Sequence, residues 1–278
     1  MPPRHRRASI PAGGAGGDRL PRDFRPRRIA APSAVGRSTA IELGLILLGA
    51  FAAAVVAGAA GFGDALVAGA IWLHVLAPVE AVPLIVATGL VMHSLPVWRL
   101  RRELRFDRLT PFLLPGVCGV PLGIWLLQSI PPEPFRQVVG WLLVVYAGLG
   151  LCFTRLAMGE VGGRAADGAI GLAGGVLGGF AGLSGVLPTL WTGLRGWPKE
   201  RQRGVYQPFI WLMHALTLAS LGLAGLITTA TGGRLLWCLP AIAAGSWLGL
   251  RVYQRLDERR FRHAVLALLL ASGVMLLL

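Results

Sequence analysis

A chain of 278 residues that is 54% hydrophobic and only 14% charged is too apolar for a water-soluble globule. Its formal net charge of +14 is unevenly spread: residues 1–40 hold nine arginines against Asp18 and Asp23, and no Lys or Arg lies between residues 41 and 98. Long uncharged runs between Arg clusters exclude nucleic-acid binding as the source of the basicity and describe a polytopic membrane protein whose arginines orient it and touch lipid headgroups.

Residues 1–40 are rich in Pro, Gly and Arg, which predicts a disordered basic tail. Arg6-Arg7 does not make a twin-arginine leader, because the apolar sequence starts only near Ile41. From there a single membrane domain, 41–278, is expected. It carries ten apolar runs, at about 41–60, 63–78, 81–98, 109–129, 136–154, 168–181, 184–196, 204–227, 235–250 and 260–278. Crossing ~30 Å of hydrocarbon takes about 20 helical residues, so the second, sixth and seventh runs are short. Pro115, Pro121, Pro188, Pro208 and Pro240 predict kinks or breaks inside runs. The final run, from Ala264, reads as a plain lipid-facing helix.

The second five runs resemble the first five. A shift of 121 residues places Gly58, Ala60, Gly61, Met92 and His93 on Gly179, Ala181, Gly182, Met213 and His214. A shift of 126 places Arg108, Gly119, Gly123, Gln128, Phe135 and Arg136 on Arg234, Gly245, Gly249, Gln254, Phe261 and Arg262. The expected fold is therefore all-α and polytopic, with two homologous helical repeats (41–155 and 165–278) and short or re-entrant Gly-rich segments. Duplicated hydrophobic chains of this kind are the usual plan of secondary transporters, and paired Gly-interrupted short segments point to the site. The basic tail and the Arg99–Arg108 cluster both predict a cytoplasmic location, N-terminus included, in the cell (inner) membrane. The shifted Arg clusters of the second half favour halves of opposite orientation.

The candidate site is Gly61, Phe62 and Gly63 with Gly182, Ser184 and Gly185 in the second half. Helices starting after residues 63 and 184 would offer free N–H groups and a positive dipole end to a small anion. The same glycines also suit close helix packing. Asp64, deep in an apolar region, fits either a proton relay or a helix cap. His93 and His214, matched across the repeat, fit proton transfer or anion binding, or else hydrogen bonding to backbone carbonyls. Cys118, Cys152 and Cys238 sit in apolar runs without paired spacing, which predicts buried thiols and no disulfide or zinc. No cofactor and no metal are expected, and no phosphate-binding loop of an ATP-driven pump is present. The expected partners are a small anion and the bilayer, and a homo-oligomer is compatible with the sequence.

These Gly-rich segments, Gly61-Phe62-Gly63 and Gly182-Leu183-Ser184-Gly185 with Pro188, resemble the signature of the sulfite exporter TauE/SafE family, the 4-toluene sulfonate uptake permease group. The resemblance spans about residues 41–278 and implies transport of sulfite, sulfonates or related organosulfur anions, not enzymatic catalysis. Asp64 and Ser184 depart from it where Gly is usual, and Val67 replaces a first-half Pro. Alternating access by rocking of one half against the other is the expected mechanism. Two other readings use the same residues. One is a rhomboid-type intramembrane serine protease with Ser184 and His214, although the chain holds no Asn for the usual oxyanion role. The other is a non-transporting membrane scaffold.

Overall fold

A computed structural model describes residues 39–101, 106–152, 159, 162–255 and 258–278. The expected disordered tail lies outside these residues, except for Thr39 and Ala40, which open the first helix. The described residues form ten helices and no strand. They are α1 (Thr39–Ala60), α2 (Asp64–Trp72), α3 (Pro78–Leu100), α4 (Phe106–Ser129), α5 (Pro132–Cys152), α6 (Gly163–Ala181), α7 (Val186–Leu194), α8 (Lys199–Leu223), α9 (Thr229–Arg255) and α10 (Glu258–Leu277). Five of them, α1, α3, α4, α5 and α9, are long and apolar enough to cross a membrane unaided. The protein is a multi-pass membrane protein.

The breaks after α1 and α6 fall at glycine, and the prolines inside the long helices do not end them. Helices α4, α8 and α9 run uninterrupted through Pro115, Pro121, Pro208 and Pro240. Helix α1 ends where Gly61 turns left-handed (φ 81°), its N–H bonded to the Ala57 carbonyl at 2.8 Å. Helix α6 ends the same way at Gly182 (φ 74°), and Leu183 N–H reaches back to Leu177 O at 3.1 Å. A left-handed residue after the last turn satisfies the free carbonyls there, and only glycine adopts it without a Cβ penalty.

Each break folds a nine-residue helix back along the preceding long one. Trp72 Nε1 at the end of α2 donates to Ile46 O of α1 at 3.1 Å. Trp191 Nε1 near the end of α7 donates to Asp167 Oδ1 of α6 at 2.8 Å. Positions 46 and 167 differ by the repeat offset of 121.

Long helices pair across the sequence halves. On α6, Gly171 lies against the Phe112 carbonyl, Gly175 against that of Gly116 and Gly179 against that of Val120, so α4 and α6 run side by side in the same direction at backbone contact. Helices α1 and α9 do likewise: Gly245 meets Phe51 O and Gly249 meets Val55 O, as Gly119 meets Leu172 O and Gly123 meets Val176 O. These contacts superpose under the offsets 121 and 126. Small residues at four-residue spacing allow such approach between membrane helices. Helices α3 and α8 pack antiparallel, as do α5 and α10. Gly140 meets Gly273, and Leu266 and Leu269 are buried. The last helix is thus half-embedded in the bundle, contrary to its plain apolar sequence. Cys118 also differs from expectation, being exposed on the outer surface, whereas Cys238 is buried. The side chain of Cys152 lies outside the described residues.

Helix directions fix the two faces. Arg234 at the start of α9 pairs with Glu42 Oε1 (3.1 Å) and Glu80 Oε2 (2.9 Å), so α1, α3 and α9 all begin at one face. Helix α3 therefore delivers Arg99 and Arg101 to the opposite face, where Arg195 pairs with Asp167 at the start of α6 (3.1 Å). The start of α1 and Arg99 thus lie at opposite faces.

Candidate functional site

Both Gly breaks meet at one cavity. Phe62, Gly63 and Asp64, entering α2, line it together with Gly182, Gly185 and Val186, entering α7, and with Ile210 and His214 from α8. Two helix N-termini thus converge from opposite faces on a shared hollow. The N–H groups of a first helical turn have no intrahelical acceptor, and the macrodipole adds roughly half a positive charge at each end. The space holds the centre of a water molecule over about 10 Å³, room for one water. An oxyanion of sulfur needs more, so this geometry is a closed one.

Behind the cavity sits a buried trio. Asp64 is the first residue of α2. His93 Nε2 of α3 donates to Asp64 Oδ1 at 3.0 Å. His214 Nε2 of α8 donates to Gly182 O at 3.1 Å, and the two imidazoles stand 6.1 Å apart, centre to centre. Asp64 is 4% exposed and each His 1%. An isolated carboxylate there would be costly, and His93 supplies the partner that makes burial tolerable. His214 Nδ1 has no hydrogen-bond partner in the protein. With Nε2 committed to a carbonyl, Nδ1 is the nitrogen left to gain or lose a proton, and its ring faces the cavity.

Not every predicted residue lines the hollow. Phe62, Gly63, Gly182, Gly185, Asp64 and His214 do. His93 stands behind Asp64. Gly61 is covered by α8, whose Tyr206 OH donates to Ala60 O (3.1 Å) and Gln207 Nε2 to Gly61 O (3.3 Å). Ser184 is fully buried beside Gly178, and its hydroxyl makes no hydrogen bond. The Ser184–His214 bond that a serine protease requires is not made. Arg195 pairs with Asp167 and lies over the rings of Trp191 and Trp197. The Gly-rich segments therefore serve both readings of the sequence: Gly175 and Gly179 pack helices, whereas Gly182 and Gly185 border the cavity.

Sequence reasoning missed Gly89, Ile210, and the Arg203, Tyr206 and Gln207 set. Gly89 lies four residues before His93, as Ile210 lies four before His214, so both share a helix face with a singled-out histidine. That spacing was the available signal.

No curated relative and no solved structure matches the chain. A family model does, over residues 45–276, nearly the whole membrane unit; its description is Sulfite exporter TauE/SafE. The family is one of membrane transporters for sulfur anions, and this chain, with its paired Gly-broken hairpins facing one hollow, belongs to it.

Proposed function

We propose that the protein is a secondary permease for a small sulfur oxyanion, such as sulfite or a sulfonate, working by alternating access with proton coupling. The observation that carries this reading is the convergence of the α2 and α7 N-termini on one cavity beside His214 Nδ1. Backbone N–H groups around Gly63 and Gly185 hold the anion's oxygens, with Phe62 and Gly182 shaping the cavity. Ser184, whose hydroxyl is unsatisfied here, is a donor available when the hollow opens.

Coupling follows from the chemistry of His214. A neutral ring with Nε2–H bound to Gly182 presents a bare lone pair at Nδ1, which repels an anion. A proton on Nδ1 turns it into a donor. Anion and proton therefore occupy the hollow together, and Asp64, backed by His93, attracts the proton. The equivalent packing of α1 on α9 and α6 on α4 supports two halves inserted in opposite senses, as inverted-repeat transporters are.

The arginines at Arg99, Arg195 and Arg251 favour a cytoplasmic location for that face, in the cell (inner) membrane. The start of α1 then lies at the outer face, reversing the expectation from the tail's charge.

Counterflow in proteoliposomes with sulfite, thiosulfate, sulfonates and carboxylates tests the reading. Saturable exchange of a sulfur oxyanion, accelerated by an inward proton gradient, is expected. Vesicles that exchange none of these anions would overturn it.

A further inference from the structure

The two hairpin tips are held differently. The Gly182 tip of the second hairpin accepts one donor, His214 Nε2 at 3.1 Å, and is otherwise covered by Ile85 and Val86 of α3. The Gly61 tip of the first hairpin is covered by donors of α8. Arg203 Nη2 donates to Ala59 O (3.4 Å), Tyr206 OH to Ala60 O and Gln207 Nε2 to Gly61 O. A repeat shift of 121 places Tyr206 and Gln207 on Ile85 and Val86, so the same two stations are polar in one half and aliphatic in the other.

The polar set is not isolated. Arg203, Gln207, Ile210 and His214 recur at helical spacing on one face of α8, from its arginine-rich end down to the cavity. Three consecutive carbonyls at the end of α1 receive those donors. Carbonyl oxygens spaced along a helix end offer the acceptor pattern that an oxyanion's oxygens also offer. The matching stations on α3, Ile85 and Val86, carry no side-chain donor.

We infer that Arg203, Tyr206 and Gln207 form an outer station for the oxyanion on the arginine-rich side of the central cavity, exchanging the Ala59–Gly61 carbonyls for substrate oxygens as the first hairpin withdraws. The donors stay satisfied in both arrangements, so opening does not leave buried N–H or O–H groups bare. The station makes the two entrances unequal: affinity for the anion is higher from the arginine-rich face than from the Ile85–Val86 face. This rests on the permease reading above.

The test is sulfite transport by the full chain in proteoliposomes, sorted by orientation with a tag on the C-terminus. Arg203→Gln and Gln207→Ala are expected to raise half-saturation at least about tenfold for sulfite presented at the arginine-rich face. Maximal rate should stay within about twofold, and half-saturation from the opposite face should be unchanged. Arg203→Lys should recover most of the affinity. Equal effects from both faces, or a fall in maximal rate with half-saturation unchanged, would overturn the inference, since either marks a role only in holding α1. Should Arg203→Gln not fold, Tyr206→Phe is read by the same criterion. Wild-type vesicles that carry no anion refute the permease reading; wild-type transport with unaffected variants refutes only the outer station.

Discussion

Gly89 and His214 face each other so closely that a methyl group on Gly89 would lie 2.6 Å from His214 Cε1. The same methyl would lie 2.9 Å from both His214 Nδ1 and Asp64 Oδ2. Gly89 thus leaves the notch in which the buried acid and the unpartnered imidazole nitrogen share space.

Filling that notch should separate the two groups. Gly89→Ala gains helix propensity of up to ~1 kcal/mol, so the variant should still insert and fold. Its transport rate should fall at least about tenfold and its dependence on a proton gradient should weaken, both measurable by flux at several imposed gradients.

Removing one partner of the buried pair should be worse than neutralising it. His93→Ala leaves the Asp64 carboxylate unpaired and should cost about 3–5 kcal/mol of stability. Asp64→Asn keeps an acceptor for His93, so it should unfold near the wild-type temperature while losing proton-coupled flux. Thermal unfolding of the detergent-purified variants, set beside flux, checks the split. An Asp64→Asn protein with unaltered transport and pH dependence would reject the coupling role.

Ser184→Ala distinguishes the permease from the serine-protease alternative. The hydroxyl makes no hydrogen bond in the closed geometry, so stability should hold and transport should fall less than about tenfold. Hydrolysis of membrane substrates should be absent from wild type and variant alike.

Helix contacts at glycine should be intolerant where backbone meets backbone. A side chain at Gly175 would run into the Gly116 carbonyl, and Gly175→Leu should cost about 1–3 kcal/mol or more. Gly148 has nothing within 4 Å of an added Cβ, so Gly148→Ala should be neutral or stabilising. Yield of monodisperse protein in detergent compares the two.

Helix α10 ends on the face where α1 begins, and Arg99, Arg195 and Arg251 lie on the other. A reporter active only outside the cytoplasm should therefore be active when fused after Leu278 and inactive when inserted between Arg101 and Phe106.

Much of this was legible in the residues. Ten apolar runs gave ten helices, because hydrophobic length and glycine breaks are local properties. Of the residues matched at the 121 offset, Gly182 and His214 border the cavity, while Gly61 and His93 stand beside it. What stayed hidden depends on neighbours from distant sequence. The partner of Asp64, His93 on α3, lies 29 residues away, and that of Arg195, Asp167 on α6, lies 28 away. Arg203, Tyr206 and Gln207 are ordinary residues at the start of a helix, and only the fold brings the end of α1 against them. That the start of α1 and Arg99 lie on opposite faces was hidden because α2 turns back along α1, a direction that the shortness of its run does not give.

The pairing of α1 with α9 and of α6 with α4 has a mechanical consequence. Backbone-to-backbone seams resist sliding, so under the permease reading each moving body would carry helices from both halves of the sequence. A rigid swing of residues 41–155 against 165–278 would tear two glycine zippers at once. Each hairpin would instead travel with its seam partner, α1–α2 with α9 and α6–α7 with α4.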